Sequence, residues 1–417
     1  MSQHQFYHQL DLLKNKFDHM EPELELTLRD PALDVEGYIV VWNTEISAEG
    51  DLPLCGKGGT RITPDLSLDE VKMLSHRMAL KNAAAGLPLG GAKSGIKADP
   101  KNENFEAQYK RFVTLSKPVL HENGGIFGGF GFDIGASPEH AVWACDALQS
   151  RRSFTGKTVE MGGTDYDREG IAGLGVAVSA RSAVEYDQGE LAQTSFAVQG
   201  LGAMGAAVVR YFAAYGAKLS SISDPRLDGT WSFGDLCAPE TIIQSITDGN
   251  FDLTRQLLDE GDFTHVSTDC QDVLYQDVDV LFPCAVQNVI TSDNDMRIQA
   301  KYIAEGANGP VTDEARTQLF HADVTVLPDF IANSGGIIAA YVELTSKITA
   351  EENAKTRGKV LEAKEMTETR IAENTIKMLE LADKYDVMPV DAGMFISLSK
   401  MFGLDMDDLE QRWAKSA

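Results

Sequence analysis

The stretch SFAVQGLGAMGAAVVRYFAAYGAKLSSISDP, residues 195–225, leaves the chain little choice of local fold. A strand-like run, a glycine turn, a helix-like run and a second strand-like run follow in that order, which is a βαβ unit and so part of a parallel sheet. Gly200, Gly202 and Gly205 spell G-x-G-x-x-G, and Asp224 closes the second strand at the distance a dinucleotide-binding unit requires. Gly200 permits the tight turn, Gly202 lets backbone approach a pyrophosphate at the helix N-terminus, and Gly205 lets helix and strand pack closely. The alternative is an ordinary βαβ turn, but strand, helix and acid all fall where the binding motif needs them.

More strand-like runs follow in VDVLFPCA, KYIAEGANGP and DVTVLPDFIANSGG, each ending in Gly, Pro or Asn. This is the pattern of an open parallel sheet whose ligand-binding loops gather at the carboxyl ends of the strands.

The region before residue 160 has a different texture. A helix is expected from SLDE, where Ser67 can cap and Glu70 can answer, with a stripe running through Val71, Leu74, Met78, position 81 or 82, and Ala85. Position 81 is a lysine, which must snorkel, pair with an acid or face a ligand, because burying it unpaired is expensive. Lys57 in GKGGTR lies upstream and Lys93 in GGAKSG lies downstream, so three lysines cluster beside glycines. Converging lysines suit an anionic small substrate or a catalytic amine of lowered pKa. Asp133, between Phe132 and Ile134 among glycines, is either a turn former or a proton-transfer partner for such an amine.

Composition excludes other classes. A net charge of −26 repels nucleic acid and anionic lipid, so neither nucleic acid nor membrane is expected as a partner. No run approaches a membrane span, and the opening MSQHQFYHQLDLLKNKF lacks the apolar segment of a signal peptide. Cys55, Cys145, Cys237, Cys270 and Cys284 form no Cys-x-x-Cys pair, and the histidines show no ligand spacing. Reduced thiols, no metal and a cytoplasmic setting are the expectation.

From about residue 37 to 345 the chain resembles the glutamate/leucine/phenylalanine/valine dehydrogenases, and among them glutamate dehydrogenase most closely. The resemblance rests on ordered blocks: KGGTRITPDLSLDEVK, LKNAAAGLPLGGAKSGIKADP, TGKTVEMGGT, VQGLGAMG, LFPCAVQN, AEGANGPVT and LPDFIANSGGIIAAYVE. It implies Lys93 as the catalytic lysine that activates water and Asp133 as the proton shuttle. It further implies Lys81 at the substrate α-carboxylate and Lys57 at a side-chain carboxylate, with Gly58, Gly131, Asn333, Ile337 and Ala340 lining the substrate site. Coenzyme would meet Gly200, Gly202, Ala203, Met204, Gly205, Asp224, Ala285 and Asn308. The implied reaction is oxidative deamination of an L-amino acid to a 2-oxo acid and ammonia, in a homo-hexamer.

The chain departs from the family pattern at three places. Ala340 replaces a serine that usually binds the side-chain carboxylate, Ala172 replaces a threonine that usually meets the nicotinamide amide, and Phe130, Gly131 and Phe132 precede the aspartate. Lys57 argues for glutamate and Ala340 for a neutral or aromatic amino acid. Asp224 favours NAD, while Arg226 two residues on could pair with the 2′-phosphate of NADP. The expected fold is α/β with two domains. An N-terminal α/β substrate-binding and assembly domain takes 1–160 plus 380–417, and a Rossmann-like doubly wound dinucleotide-binding domain takes 161–379. The charged, helix-forming stretch 354–387 is expected to pack back on the first domain.

Overall fold

The computed structural model describes residues 2–47, 52–234 and 237–404; the tail 405–417, assigned above to the first domain, lies outside the described residues. The described chain divides into two compact units, one of residues 2–166, 337–363 and 394–404 and the other of 167–336 and 364–393. Among the described residues no helix is long and apolar enough to cross a membrane.

The first unit opens with α1 (Gln3–Asp18), which begins at a capping box between Ser2 and Gln5 and buries Phe6, Leu10, Leu13 and Phe17 along one face. Strands β1 (Leu24–Asp30) and β2 (Val35–Val41) pair antiparallel. After β3 (Gly56–Lys57), β4 (Thr60–Thr63) and α2 (Leu68–Ala84), the chain enters β5 (Gly90–Lys97), which pairs antiparallel with β2 and parallel with both β3 and β4. Helices α3 (Phe105–Leu115) and α4 (Pro138–Leu148) supply Phe105, Tyr109, Phe112 and Ala144 to the core over this sheet. Between and after them β6 (Phe130–Gly131) pairs with β7 (Phe154–Thr155).

The buried stripe of α2 is displaced from the one expected. Val71, Ser75, Ala79 and Asn82 are buried, whereas Leu74 and Met78 are only half-buried. The reason is proximity to β5, where a Cβ on Gly91 would lie 2.3 Å from the backbone nitrogen of Ala79. Only small residues fit a helix this close to a strand. Ser67 caps α2 as expected, but the Glu70 carboxylate accepts from Arg61 at 2.7 Å.

The second unit holds α5 (Ile171–Tyr186), β8 (Ser195–Gln199), α6 (Ala203–Ala214) and β9 (Lys218–Asp224), then β10 (Gly229–Ser232), α7 (Glu240–Thr247), α8 (Phe251–Glu260) and β11 (Thr264–Ser267). It continues through β12 (Val280–Pro283), β13 (Tyr302–Ala304), α9 (Asp313–His321), β14 (Thr325–Leu327) and α10 (Asp329–Ala332). The sheet runs β11-β10-β9-β8-β12-β13-β14, parallel from β9 to β14. Strand order reverses at β8, so the glycine turn after it sits where doubly wound sheets bind ligands.

Helices α11 (Gly335–Thr345), α12 (Ala350–Thr356), α13 (Gly358–Tyr385) and α14 (Pro389–Met401) complete the chain. From Lys364 onward α13 belongs to the second unit, contrary to the expectation that it packs on the first. Its polar side chains find partners there: Lys364 pairs with Glu169, Thr375 bonds Ser179, and Asp383 accepts from Tyr186. The chain thus passes between units at 166, 336, 363 and 393, where the sequence suggested boundaries at 160 and 379.

Substituting Gly91→Ala should force α2 from β5 and lower unfolding stability by about 1–3 kcal/mol, measured by chemical denaturation. A change within error would mean that the α2–β5 approach is not tight.

Candidate active site

Glycines bring the site residues of the first unit together. A Cβ on Gly58 would fall 1.8 Å from the Ala92 carbonyl oxygen, and one on Gly59 would fall 2.5 Å from that of Phe132. The segment carrying Lys57 is therefore pressed between β5, which carries Lys93, and the loop carrying Asp133.

Lys93 is buried, and its Nζ lies 2.6 Å from Asp133 Oδ2. Burial pulls the Lys93 pKa below the ordinary lysine value, against the opposing pull of Asp133 and with the help of Arg61. Burial alone would raise the Asp133 carboxyl, but Lys93 and Arg61 outweigh it and hold the acid below its usual range. Arg61 adds to the larger effect of Lys93 by donating from Nε to Asp133 Oδ2 at 3.2 Å while its other arm is anchored on Glu70. Arg61 stands in GKGGTR, and its charge beside a cluster of cations was the available signal that it needs an acidic partner.

Lys57 is 1% exposed, and its Nζ donates to the carbonyls of Gly58, Gly129 and Phe130 at 3.2, 3.0 and 2.7 Å. Burial pulls its pKa down to about 7. Gly131 stands beside it; a Cβ there would lie 3.4 Å from the Lys57 Nζ and 3.0 Å from Thr155 Oγ1. Asn82 fixes this wall by donating to the carbonyls of Lys57 and Gly90. Lys81 is half-buried near the end of α2. On α11, Ile337 is half-buried and Ala340 buried, both in this unit.

In the second unit Gly200 adopts φ +81, which favours glycine, and a Cβ on Gly205 would strike the Gly200 carbonyl oxygen at 1.8 Å. A Cβ on Gly202 would meet nothing within 4 Å, so the turn is open at the N-terminus of α6, where Ala203 is exposed and Met204 half-buried. This cradle fits a dinucleotide pyrophosphate. Ala285 packs against Gly200. Asn333, expected at the substrate site, is buried in this unit and donates to Gly306 O and to Asn308 Oδ1.

Asp224 differs from the expectation of an acid free to bind ribose. Its carboxylate accepts from Leu201 N and Arg226 N, and from Arg226 Nε and Nη2 at 2.7 and 2.8 Å. The Arg226 guanidinium also stacks 3.6 Å from the Phe251 ring centroid.

Sequence models of two halves of one family match the chain: Glu/Leu/Phe/Val dehydrogenase, dimerisation domain, over residues 23–149, and Glutamate/Leucine/Phenylalanine/Valine dehydrogenase over 162–406. The NADP(+)-dependent glutamate dehydrogenase of Pyrobaculum calidifontis is 34% identical over 69% of this chain and 68% of its own length. The NAD-specific glutamate dehydrogenase A of Halobacterium salinarum is 34% identical over 69% of this chain and 65% of its own. In fold, the chain resembles the glutamate dehydrogenase of Peptoniphilus asaccharolyticus, with a TM-score of 0.75, 23% identity and 96% of each chain covered.

The charge arrangement gives two variants opposite signs. Asp133→Asn should shift the titration of Lys93 to lower pH and Arg61→Gln should shift it to higher pH, read as the pH dependence of reductive methylation at Lys93 by peptide mass spectrometry. Shifts of the same sign would contradict the assigned couplings.

Proposed function

The chain belongs to the glutamate/leucine/phenylalanine/valine dehydrogenase family, and on that premise we propose that it oxidatively deaminates L-glutamate to the 2-oxo acid and ammonia with NAD(P)+. The observation that carries this reading is the buried Lys93–Asp133 pair held by Arg61, close enough to the buried Lys57 for the Lys93 charge to act on it.

When bound across the turn of Gly200, Gly202 and Gly205, with Ala203, Met204, Ala285 and Asn308 beside it, the coenzyme supplies the acceptor for the hydride leaving the substrate Cα. The chain's own residues manage protons and position. Asp133, kept ionised by Arg61, takes a proton from the substrate ammonium. Lys93, whose burial favours the neutral amine, takes a proton from the water that adds to the imino carbon. Asp133 then returns its proton to the departing nitrogen; as the C–N bond breaks and C=O forms, the hydroxyl proton passes back to the Asp133 carboxylate, releasing the 2-oxo acid and ammonia, and Asp133 and Lys93 give up their protons to solvent. Glycine walls admit the substrate closely and exclude bulk water.

Lys81 holds the α-carboxylate, while the side-chain carboxylate approaches Lys57 over Gly131 and takes the place of one of its backbone acceptors. Gly58, Ile337 and Ala340 complete the substrate wall of the first unit. Ala340 supplies no hydroxyl for that carboxylate, which leaves Lys57 as its charged partner. Arg226 masks Asp224 and gives a 2′-phosphate a cation, so NADP+ is admitted alongside NAD+. A cytoplasmic setting and a homo-hexameric assembly are proposed with this activity.

Lys93→Ala should lower kcat for L-glutamate by about a thousandfold while coenzyme affinity, measured by fluorescence titration, stays within about twofold. Substantial residual turnover would remove Lys93 from the reaction. Arg226→Ala should lower kcat/KM with NADP+ relative to NAD+ by about tenfold, because the guanidinium is lost and the Asp224 charge is bared. An unchanged ratio would mean that Arg226 does not face the ribose.

A further inference from the structure

The first unit contains a cavity of about 300 Å³ whose walls include Arg151, Arg152, Lys157 and Lys359 against Glu122 and Glu343. Four cations against two carboxylates leave a surplus of two positive charges, in a chain whose net charge is −26. The carboxylates are already engaged. Glu343 accepts from Gly156 N, Thr164 N and Thr164 Oγ1 and pairs with Lys157, while Glu122 accepts from the hydroxyls of Ser150 and Ser153 at 2.6 Å.

The remaining cations have no such partners. Among the described residues Arg151, Arg152 and the Lys359 ammonium make no ion pair. Lys359 is only 8% exposed, and burial pulls its pKa below the ordinary value. The acidic charge that acts most on Lys359, Glu343, is already paired with Lys157, so the nearly buried ammonium is left costly and an anion in the cavity would lower that cost.

The cavity also adjoins the Lys57 wall. Cys55 and Gly128 line it, and Gly128 N donates to Gly56 O at 2.8 Å, one residue from Lys57. Glu343 favours and Lys157 opposes the charged form of Lys57, so a negative charge added in the adjoining cavity favours the ammonium that an acidic substrate needs.

We propose that this cavity binds a small oxyanion carrying two negative charges, phosphoryl or dicarboxylate, and that its occupancy strengthens the binding of an acidic substrate at Lys57. The binding stands on the cavity alone; the effect on substrate rests on the functional reading given above.

Calorimetric titration of the full chain at mildly alkaline pH with inorganic phosphate and, separately, malonate tests the site, with sodium chloride at matched ionic strength as control. At least one probe should bind once per chain, with affinity weakened about tenfold in Lys359→Met and in the exposed-site variant Arg152→Ser. Preference between phosphate and malonate distinguishes the phosphoryl from the dicarboxylate source. Absence of binding by both probes, or binding unchanged in both variants, overturns the site. Steady-state kinetics then read the coupling: the bound probe should lower the KM for L-glutamate at least about twofold in the wild type. Binding with an unmoved KM overturns the coupling, and binding in a chain that does not turn over L-glutamate isolates the failure to the functional reading.

Discussion

The candidate site in the first unit is arranged around the burial of the ammonium groups of Lys57 and Lys93. An unpaired buried cation is costly, so each needs acceptors supplied at close range and a wall thin enough for a substrate to reach it. Lys57 meets the first demand with the carbonyls of Gly58, just past its own strand, of Gly129 before β6 and of Phe130 at the start of β6. Lys93 meets it with Asp133, and Asp133 in turn depends on Arg61. The second demand explains the glycines at 58, 59 and 131, where a single methyl group would collide with backbone or crowd the ammonium.

The same economy of space reaches outward into the fold. Helix α2 can lie against β5 because Gly91 faces Ala79, and its buried Asn82 then ties the Lys57 strand to β5. In the second unit, close packing between Gly205 and Gly200 holds α6 with its N-terminus open over the sheet's switch point. Substrate-side and coenzyme-side features are thus built by one device, removal of Cβ atoms where two backbones must meet.

The nucleotide unit was legible in the sequence because its signals are local: glycines, helix and acid lie within one βαβ stretch, and β8, α6 and β9 form where the spacing puts them. The lysines and Asp133 were legible through resemblance and through their setting among glycines. The partnerships were not. Arg61 meets Asp133 across 72 residues of chain, and Arg226 fills the Asp224 carboxylate through a side-chain conformation that spacing does not dictate. The stripe of α2 was misread because hydrophobicity points to Leu74 and Met78, whereas closeness to β5 selects Ser75 and Ala79. Helix α13 was expected to pack on the first domain from composition alone, which says nothing about which surface its Thr375 and Asp383 will find.

The most direct test of the account compares kcat/KM for L-glutamate with those for L-leucine, L-phenylalanine and L-tryptophan in the wild type and in Lys57→Leu. The account predicts a wild-type preference for L-glutamate that Lys57→Leu abolishes through a rise in KM, with the neutral substrates little affected. A wild-type preference for a neutral amino acid, or an equal loss on all substrates in Lys57→Leu, would contradict the role given to the buried ammonium.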